Sequence, residues 1–365
     1  MGTILDYIRM YGGYTFAEKP LNEVDSLIFS QFAYLKFDNL VPDIKEEEQA
    51  VDMQSILHHK DYDSLYADER YREKNTALFQ AMADSKRFGT LKLSNYVNQI
   101  ELERETQFSA ITIQMGDGRF YVAYRGTDET IVGWKEDLNL AFSDPVPGQL
   151  MSVEYLNHTA KKIARPFYVG GHSKGGNLAV YAAMNCKKEI QDKIESIFNH
   201  DGPGFRPEVK QGGGYDRIEA RIRKTIPHSS LVGMIFYSEG NYRVVESRYL
   251  GLAQHDPYSW LVEKDDFRTA RQVYSSQMVM DTALNKWILS LDQEQIHIFV
   301  DTLYDVIKAS EADNLIDFTA NWKRSIQGIM AAVKNVDPET MKTMNNIMKA
   351  LFEEYRLHLE QVWRK

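Results

Sequence analysis

Apolar residues recur at three- and four-residue spacing in Val24, Leu27, Ile28, Phe32 and Leu35, with Asn22 ahead of them, which predicts a capped helix over 22–34. Residues 3–10 read as a shorter helix before it and 75–85 as another after it, separated by a polar, acid-rich stretch at 45–73. The period then changes. Residues 91–99 mix apolar and polar positions in strand fashion, 108–115 alternate, Gly116-Asp117-Gly118 turn, and 119–124 return as a second hairpin strand. A helix over 151–164, a β-rich run at 167–169, an Ala/Leu-rich helix over 177–184 and a strand over 194–199 follow in alternation. Residues 218–224 are mixed, and 231–237 and 242–247 complete the strand candidates. From 265 onward helical spacing runs to the end, through Leu284, Trp287, Ile288 and Leu291 and then Ile296, Phe299, Val300, Leu303 and Ile307. Strands alternating with helices predict an α/β fold with a mainly parallel central sheet covered on both faces, preceded by N-terminal helices and followed by a helical C-terminal region. The expected division is 1–260 for the sheet domain and 261–365 for a helical cap or bundle.

Composition narrows the chemistry. The 365 residues are 43 % hydrophobic and carry a net charge of −9, so a large core is available and the basic face of a nucleic-acid reader is not. One cysteine, Cys186, excludes an internal disulfide framework and a multi-thiolate metal site, and it reads as core. The opening residues lack a basic segment followed by a long apolar one, and no run reaches the roughly 20 apolar residues of a membrane span, so a cytoplasmic protein is expected.

The 166–183 stretch contains Gly171-His172-Ser173-Lys174-Gly175 between the run at 167–169 and the helix at 177–184. A serine on so sharp a strand-to-helix turn needs small residues two positions to either side, and glycine stands at both. The turn aims the Ser173 hydroxyl out of the sheet, with the Lys174 N–H ready for a developing oxyanion. The competing account is a glycine-rich turn whose serine merely caps the helix.

A serine nucleophile needs a histidine base, which in this chain order follows it, and an acid to orient that base. Of His200, His228, His255, His297 and His358, the last two fall in the helical C-terminal region. His255 stands in Gly251-Leu-Ala-Gln-His-Asp-Pro-Tyr-Ser-Trp260, after the last strand candidate, and is the expected base. Asp201 opens Asp-Gly-Pro-Gly-Phe205 directly after the strand at 194–199, at the same sheet edge as Ser173, and is the expected acid; Asp216 and Asp256 are the alternatives, and a plain turn-forming role for Asp201 also fits. The second oxyanion donor is expected from Thr127, in Tyr124-Arg-Gly-Thr127. The Lys174 side chain is expected to be solvent-exposed rather than to meet an anionic substrate, and Arg125 to pair with Asp137 structurally. No nucleotide fingerprint or metal spacing is present, so neither cofactor nor metal is expected.

Strand-Arg-Gly-Thr, a later Trp and Asp-Leu, and the Gly-His-Ser-x-Gly-Gly elbow resemble the class 3 lipase branch of the α/β-hydrolases. That resemblance implies an oxyanion hole from Thr127 and Lys174. Leu5-Asp-Tyr-Ile-Arg-Met-Tyr-Gly, the elbow with Asn177, Asp201-Gly-Pro-Gly-Phe and Gln254-His-Asp-Pro-Tyr-Ser-Trp together resemble the Mbeg1-like bacterial proteins over about 5–260. One departure stands out: class 3 lipases carry their acid in a turn whose counterpart here, His228-Ser-Ser-Leu-Val-Gly233, has Ser230 in its place. The expectation is therefore a serine hydrolase acting on acyl esters or thioesters, with a small ester or lipid as substrate. Its rival is a hydrolase fold kept for binding or scaffolding, favoured by the missing standard acid.

Overall fold

The computed structural model describes residues 2–46, 50–67, 71–101, 106–127, 140, 145–228, 230, 232–236, 242–249, 251–270, 275–292, 294–295, 298, 301–302, 338–346 and 349–350. Two compact units are distinguished. The first comprises Met1–Glu101, Thr106–Asp128 and Pro147–Tyr274, and the second contains the C-terminal residues from Ser275.

The first unit is built on an eight-stranded sheet whose spatial order follows the chain. Its strands are β1 Val51–Asp52, β2 Lys92–Glu101, β3 Thr106–Gln114, β4 Phe120–Tyr124, β5 Phe167–His172, β6 Ile194–His200, β7 Ile222–Pro227 and β8 Tyr242–Val245. β1 to β4 pair antiparallel, and β4 to β8 pair parallel. The helices flanking it are α1 Ile4–Tyr11, α2 Glu23–Phe32, α3 Arg72–Ala83, α4 Pro147–Thr159 and α5 Lys174–Asn185.

Alternation along β4 shows how the sheet is covered. Tyr121 and Ala123 join the core with α1, α2 and α3, while Val122 and Tyr124 join the core with α4 and α5. Residues one apart on a strand point to opposite faces, so each strand feeds two cores. α2 starts where expected, because the Asn22 side chain accepts the Asp25 N–H at 2.9 Å. It is buried on all sides, including Ser26 and Ser30, since it lies under both the sheet and its neighbouring helices.

Two expectations are corrected. Within 231–237, the described residues Val232–Met234 form a 3-10 turn and not a strand, because the Ser230 hydroxyl closes the turn by accepting the Gly233 N–H at 2.9 Å. The sheet continues instead through β8, paired directly with β7. Helix does not begin at 265 either: Asp266–Phe267 pairs antiparallel with Val262–Glu263 around Lys264 at φ 57°. In the second unit, helix α6 is Ser275–Ser290. No helix among the described residues is long and apolar enough to cross a membrane.

Candidate active site

β5 ends at His172 and α5 begins at Lys174, so Ser173 alone makes the turn, at φ 57° and ψ −131°. A non-glycine residue held there costs on the order of 1–3 kcal/mol and persists only when its surroundings enforce it. They do. A Cβ on Gly175 would lie 2.2 Å from the Tyr124 carbonyl oxygen, and one on Gly171 would lie 2.3 Å from the Gly175 carbonyl carbon, so helix and strand touch backbone to backbone. The Ser173 side chain makes no capping bond to α5, which removes the plain helix-cap account. Its own N–H donates to the His200 carbonyl at 2.9 Å, tying the turn to β6.

β6 delivers Asp201 to the same edge, at φ 53° and 1 % exposed. Its Oδ2 accepts a hydrogen bond from His255 Nδ1 at 2.7 Å, and its Oδ1 accepts one from the Ser230 hydroxyl. The Nδ1 side of the ring is thus committed to Asp201, and Nε2 is the ring nitrogen that this bond leaves uncommitted. The His255 side chain is 30 % exposed, whereas Asp201 beside it is buried.

His255 is held from its backbone as well. His172 Nε2 lies 2.9 Å from the His255 carbonyl oxygen, and the two rings are 4.5 Å apart between centroids. A carbonyl cannot donate, so His172 Nε2 carries the proton and Tyr34 donates its hydroxyl hydrogen to Nδ1 at 3.3 Å. The residue preceding the serine thus anchors the residue carrying the imidazole.

The other candidates go elsewhere. Asp216 is exposed. Asp256 caps the next turn by accepting the Tyr258 N–H at 2.9 Å and pairs with Lys74 at 2.8 Å. His200 is fully buried with Nε2 at 2.8 Å from the Ser26 hydroxyl, and His228 is buried with Nε2 at 3.2 Å from the Gln254 amide. Burial lowers the His200 pKa to about 3, with the Lys224 charge adding to it, so this imidazole is neutral and takes no proton at ordinary pH.

Thr127 is half-buried and follows Gly126, where a Cβ would lie 2.7 Å from the His172 carbonyl oxygen. The 125–127 segment therefore passes right against the end of β5. Lys174 corrects an expectation: its side chain is not exposed but buried, and Nζ donates to the Gln107 carbonyl at 2.9 Å. The turn forces it inward, because the residue after Ser173 must enter α5 facing β3. Arg125 is buried and donates to Asn98 Oδ1 at 3.0 Å; its expected partner Asp137, like His297 and His358, lies outside the described residues. Cys186 is core as expected, its thiol pushed up to about 12 by burial.

Three residues near this site escaped the sequence reading. His172 was visible as part of the elbow but carried no signal of its contact with the 251–255 segment. Ser230 shows in the sequence only as a departure from the class 3 lipase turn. Lys224, buried on β7 with Nζ donating to the Gly202 carbonyl, sits in a segment whose pattern was mixed.

An eight-stranded sheet, antiparallel over β1–β4 and parallel over β4–β8, with a positive-φ serine between β5 and α5 and an Asp–His pair at the same edge, makes this an α/β fold with a mostly parallel central sheet. Within it, the chain belongs to the Mbeg1-like family, whose model matches residues 82–305 and so spans Thr127, Ser173, Asp201, Ser230 and His255. No curated protein matches the chain. Among solved structures, the crystal structure of M37 lipase aligns at 17 % identity and a TM-score of 0.38, over 65 % of this chain and 79 % of that one.

Proposed function

We propose that the protein is a serine hydrolase of carboxylic esters or thioesters, with Ser173 as nucleophile, His255 as general base and Asp201 as the acid. The observation that carries this reading is the 2.7 Å bond from His255 Nδ1 to the buried Asp201, at the sheet edge where Ser173 makes a left-handed turn. Ser173 Oγ attacks the acyl carbon while His255 Nε2 takes its proton. The oxyanion forms against the Lys174 N–H at the start of α5 and against the N–H and hydroxyl of Thr127. Collapse of the tetrahedral intermediate breaks the C–O or C–S bond, and His255 returns the proton to the leaving alcohol or thiol. A water, deprotonated in turn by His255, then releases the acid and regenerates Ser173.

The scaffolding alternative drew its support from serine at position 230. Ser230 instead donates to Asp201, which favours an acid supplied from β6 and buttressed from the turn where the acid was expected. Chain length and acceptor stay open within this reading, so thioesterase and acyltransferase use are variants of it. The test is a fluorophosphonate probe on purified protein, with turnover of short p-nitrophenyl esters. Stoichiometric labelling lost in Ser173→Ala, and loss of turnover of similar size in Ser173→Ala and His255→Ala, is the expected result, because members of one catalytic unit are not additive. Undiminished turnover in folded Ser173→Ala sinks the reading.

A further inference from the structure

Lys224 is a buried cation that the reaction above does not use. It stands on β7 at 2 % exposure. Its Nζ donates to the Gly202 carbonyl and lies 3.4 Å from Asn199 Oδ1. The same Asn199 oxygen accepts the Gly202 N–H at 2.8 Å, so the lysine and the asparagine close around the turn on which Asp201 is held at φ 53°. Taking an ammonium out of water costs several kcal/mol unless charge and hydrogen bonds compensate it, and a hydrophobic side chain of similar volume fills space without that cost. Filling space therefore does not explain a lysine here. Burial pushes its pKa down to about 7, and Asp201 pulls in the opposite direction. Among the described residues, Asp201 and His200 are titratable groups that face it, and His200 is neutral. Lys224 on β7 and Asp201, in the turn just past β6, are thus a buried amine and a buried carboxyl joined through that one short turn.

Resting on the reading of Ser173, His255 and Asp201 as one catalytic unit, we propose that Lys224 is a positioning residue, which clamps the 199–202 turn from β7 and supplies the counter-charge behind the acid. It touches no reacting atom and acts through Asp201. When the ammonium is lost, the turn loses its clamp, Asp201 loses orientation, and the field at His255 becomes more negative. A more negative field favours the protonated base, so the acid limb of the activity profile moves to higher pH.

The experiment compares Lys224→Met and Lys224→Arg with the intact protein in the pH profile of p-nitrophenyl ester turnover. Lys224→Met is expected to lower kcat at least about tenfold with KM changed less than about twofold, and to move the acid limb of kcat/KM upward by about half a pH unit or more. Lys224→Arg, which keeps the charge, restores the position of the limb. A folded Lys224→Met variant with an unmoved limb and normal kcat overturns the proposal, and so does one that loses thermal stability alone. If Lys224→Met does not fold, the ε-carbon of 13C-labelled Lys224 is titrated by NMR in the intact protein and in Asp201→Asn. Its midpoint is expected to fall by about one unit or more when the carboxylate is removed, and equal midpoints overturn the proposal. This titration needs no turnover, so it decides the Lys224–Asp201 coupling even if the protein proves not to be labelled by fluorophosphonate, a result that would sink the hydrolase reading instead.

Discussion

The acid is the residue on which the proposed chemistry is most exposed to test. Asp201 has both oxygens committed, one to His255 and one to Ser230, whereas Asp256 is spent on Lys74 and a turn N–H, and Asp216 faces solvent. Asp201→Asn preserves shape but can donate to His255 Nδ1 and fix the wrong tautomer, so kcat should fall by up to about 10⁴-fold. Asp216→Asn and Asp256→Asn, measured beside it in folded protein, should stay within about threefold of the original rate, as substitutions outside a catalytic unit do. A large loss in either of those instead of Asp201 overturns the assignment. His200 gives a separate, pH-dependent outcome. Its folded pKa lies near 3 against an ordinary 6.5, so between those values the unfolded chain binds a proton that the folded chain does not. Stability from this group is complete above about 6.5 and drains away as pH falls toward about 3. Replacing His200 by Gln should flatten that part of the stability curve, seen in urea midpoints taken from pH 7 to pH 4. Curves that stay parallel across the window would show that His200 does not titrate as described.

The elbow is a property of elements meeting, not of one residue. A Cβ on Gly175 would lie 2.2 Å from the Tyr124 carbonyl oxygen of β4, so Gly175→Ala must push α5 away from the sheet and carry the Lys174 N–H with it. It should cost about 1–3 kcal/mol of stability, as overpacking does, and lower kcat as well. Gly13→Ala is the control, since a Cβ there meets nothing within 4 Å, and it should change neither. An unaffected Gly175→Ala variant would show that the close approach is not needed. This element was legible in the chain because its requirement is steric, and glycine is the sequence mark of a backbone contact. The 108–124 hairpin and the Asn22 cap were legible for equally local reasons. The segment at 231–237 was not, because its apolar residues look the same whether they pair in a strand or line a 3-10 turn. What decides between them is the bond from Gly233 N–H to Ser230, a choice made by side chains that also serve Asp201. Lys174 misled for a related reason: exposure is the usual fate of lysine, and only the direction in which the turn enters α5, against β3, reverses it.

At the scale of the whole molecule, the question is why residues ahead of the family match at 82–305 belong to the same folded unit. α2 supplies part of the answer through Ser26, whose hydroxyl lies 2.8 Å from His200 Nε2 and 2.7 Å from the Tyr121 hydroxyl. The stronger link is ionic. Asp25 on α2 is fully buried, and Arg87, just past α3, reaches it with Nε at 2.8 Å and Nη2 at 2.5 Å while donating to the Lys19 carbonyl at 2.9 Å. Tyr7 of α1 donates to the same carboxylate at 3.1 Å, so one ion pair joins α1, α2, the 14–20 segment and the start of the matched region. None of this is readable from spacing, since Asp25 and Arg87 are 62 positions apart and charged residues are ordinarily surface residues. Breaking such a pair leaves an uncompensated buried charge, so Asp25→Ala should destabilise the protein by about 3–5 kcal/mol. Removing both charges with Asp25→Leu and Arg87→Met should recover a good part of that loss, because no ion is then stranded. Urea unfolding of the single and double variants measures both. A double variant as unstable as Asp25→Ala would mean that the pair itself, and not merely the absence of a stranded charge, holds the N-terminal helices onto the sheet that carries Ser173.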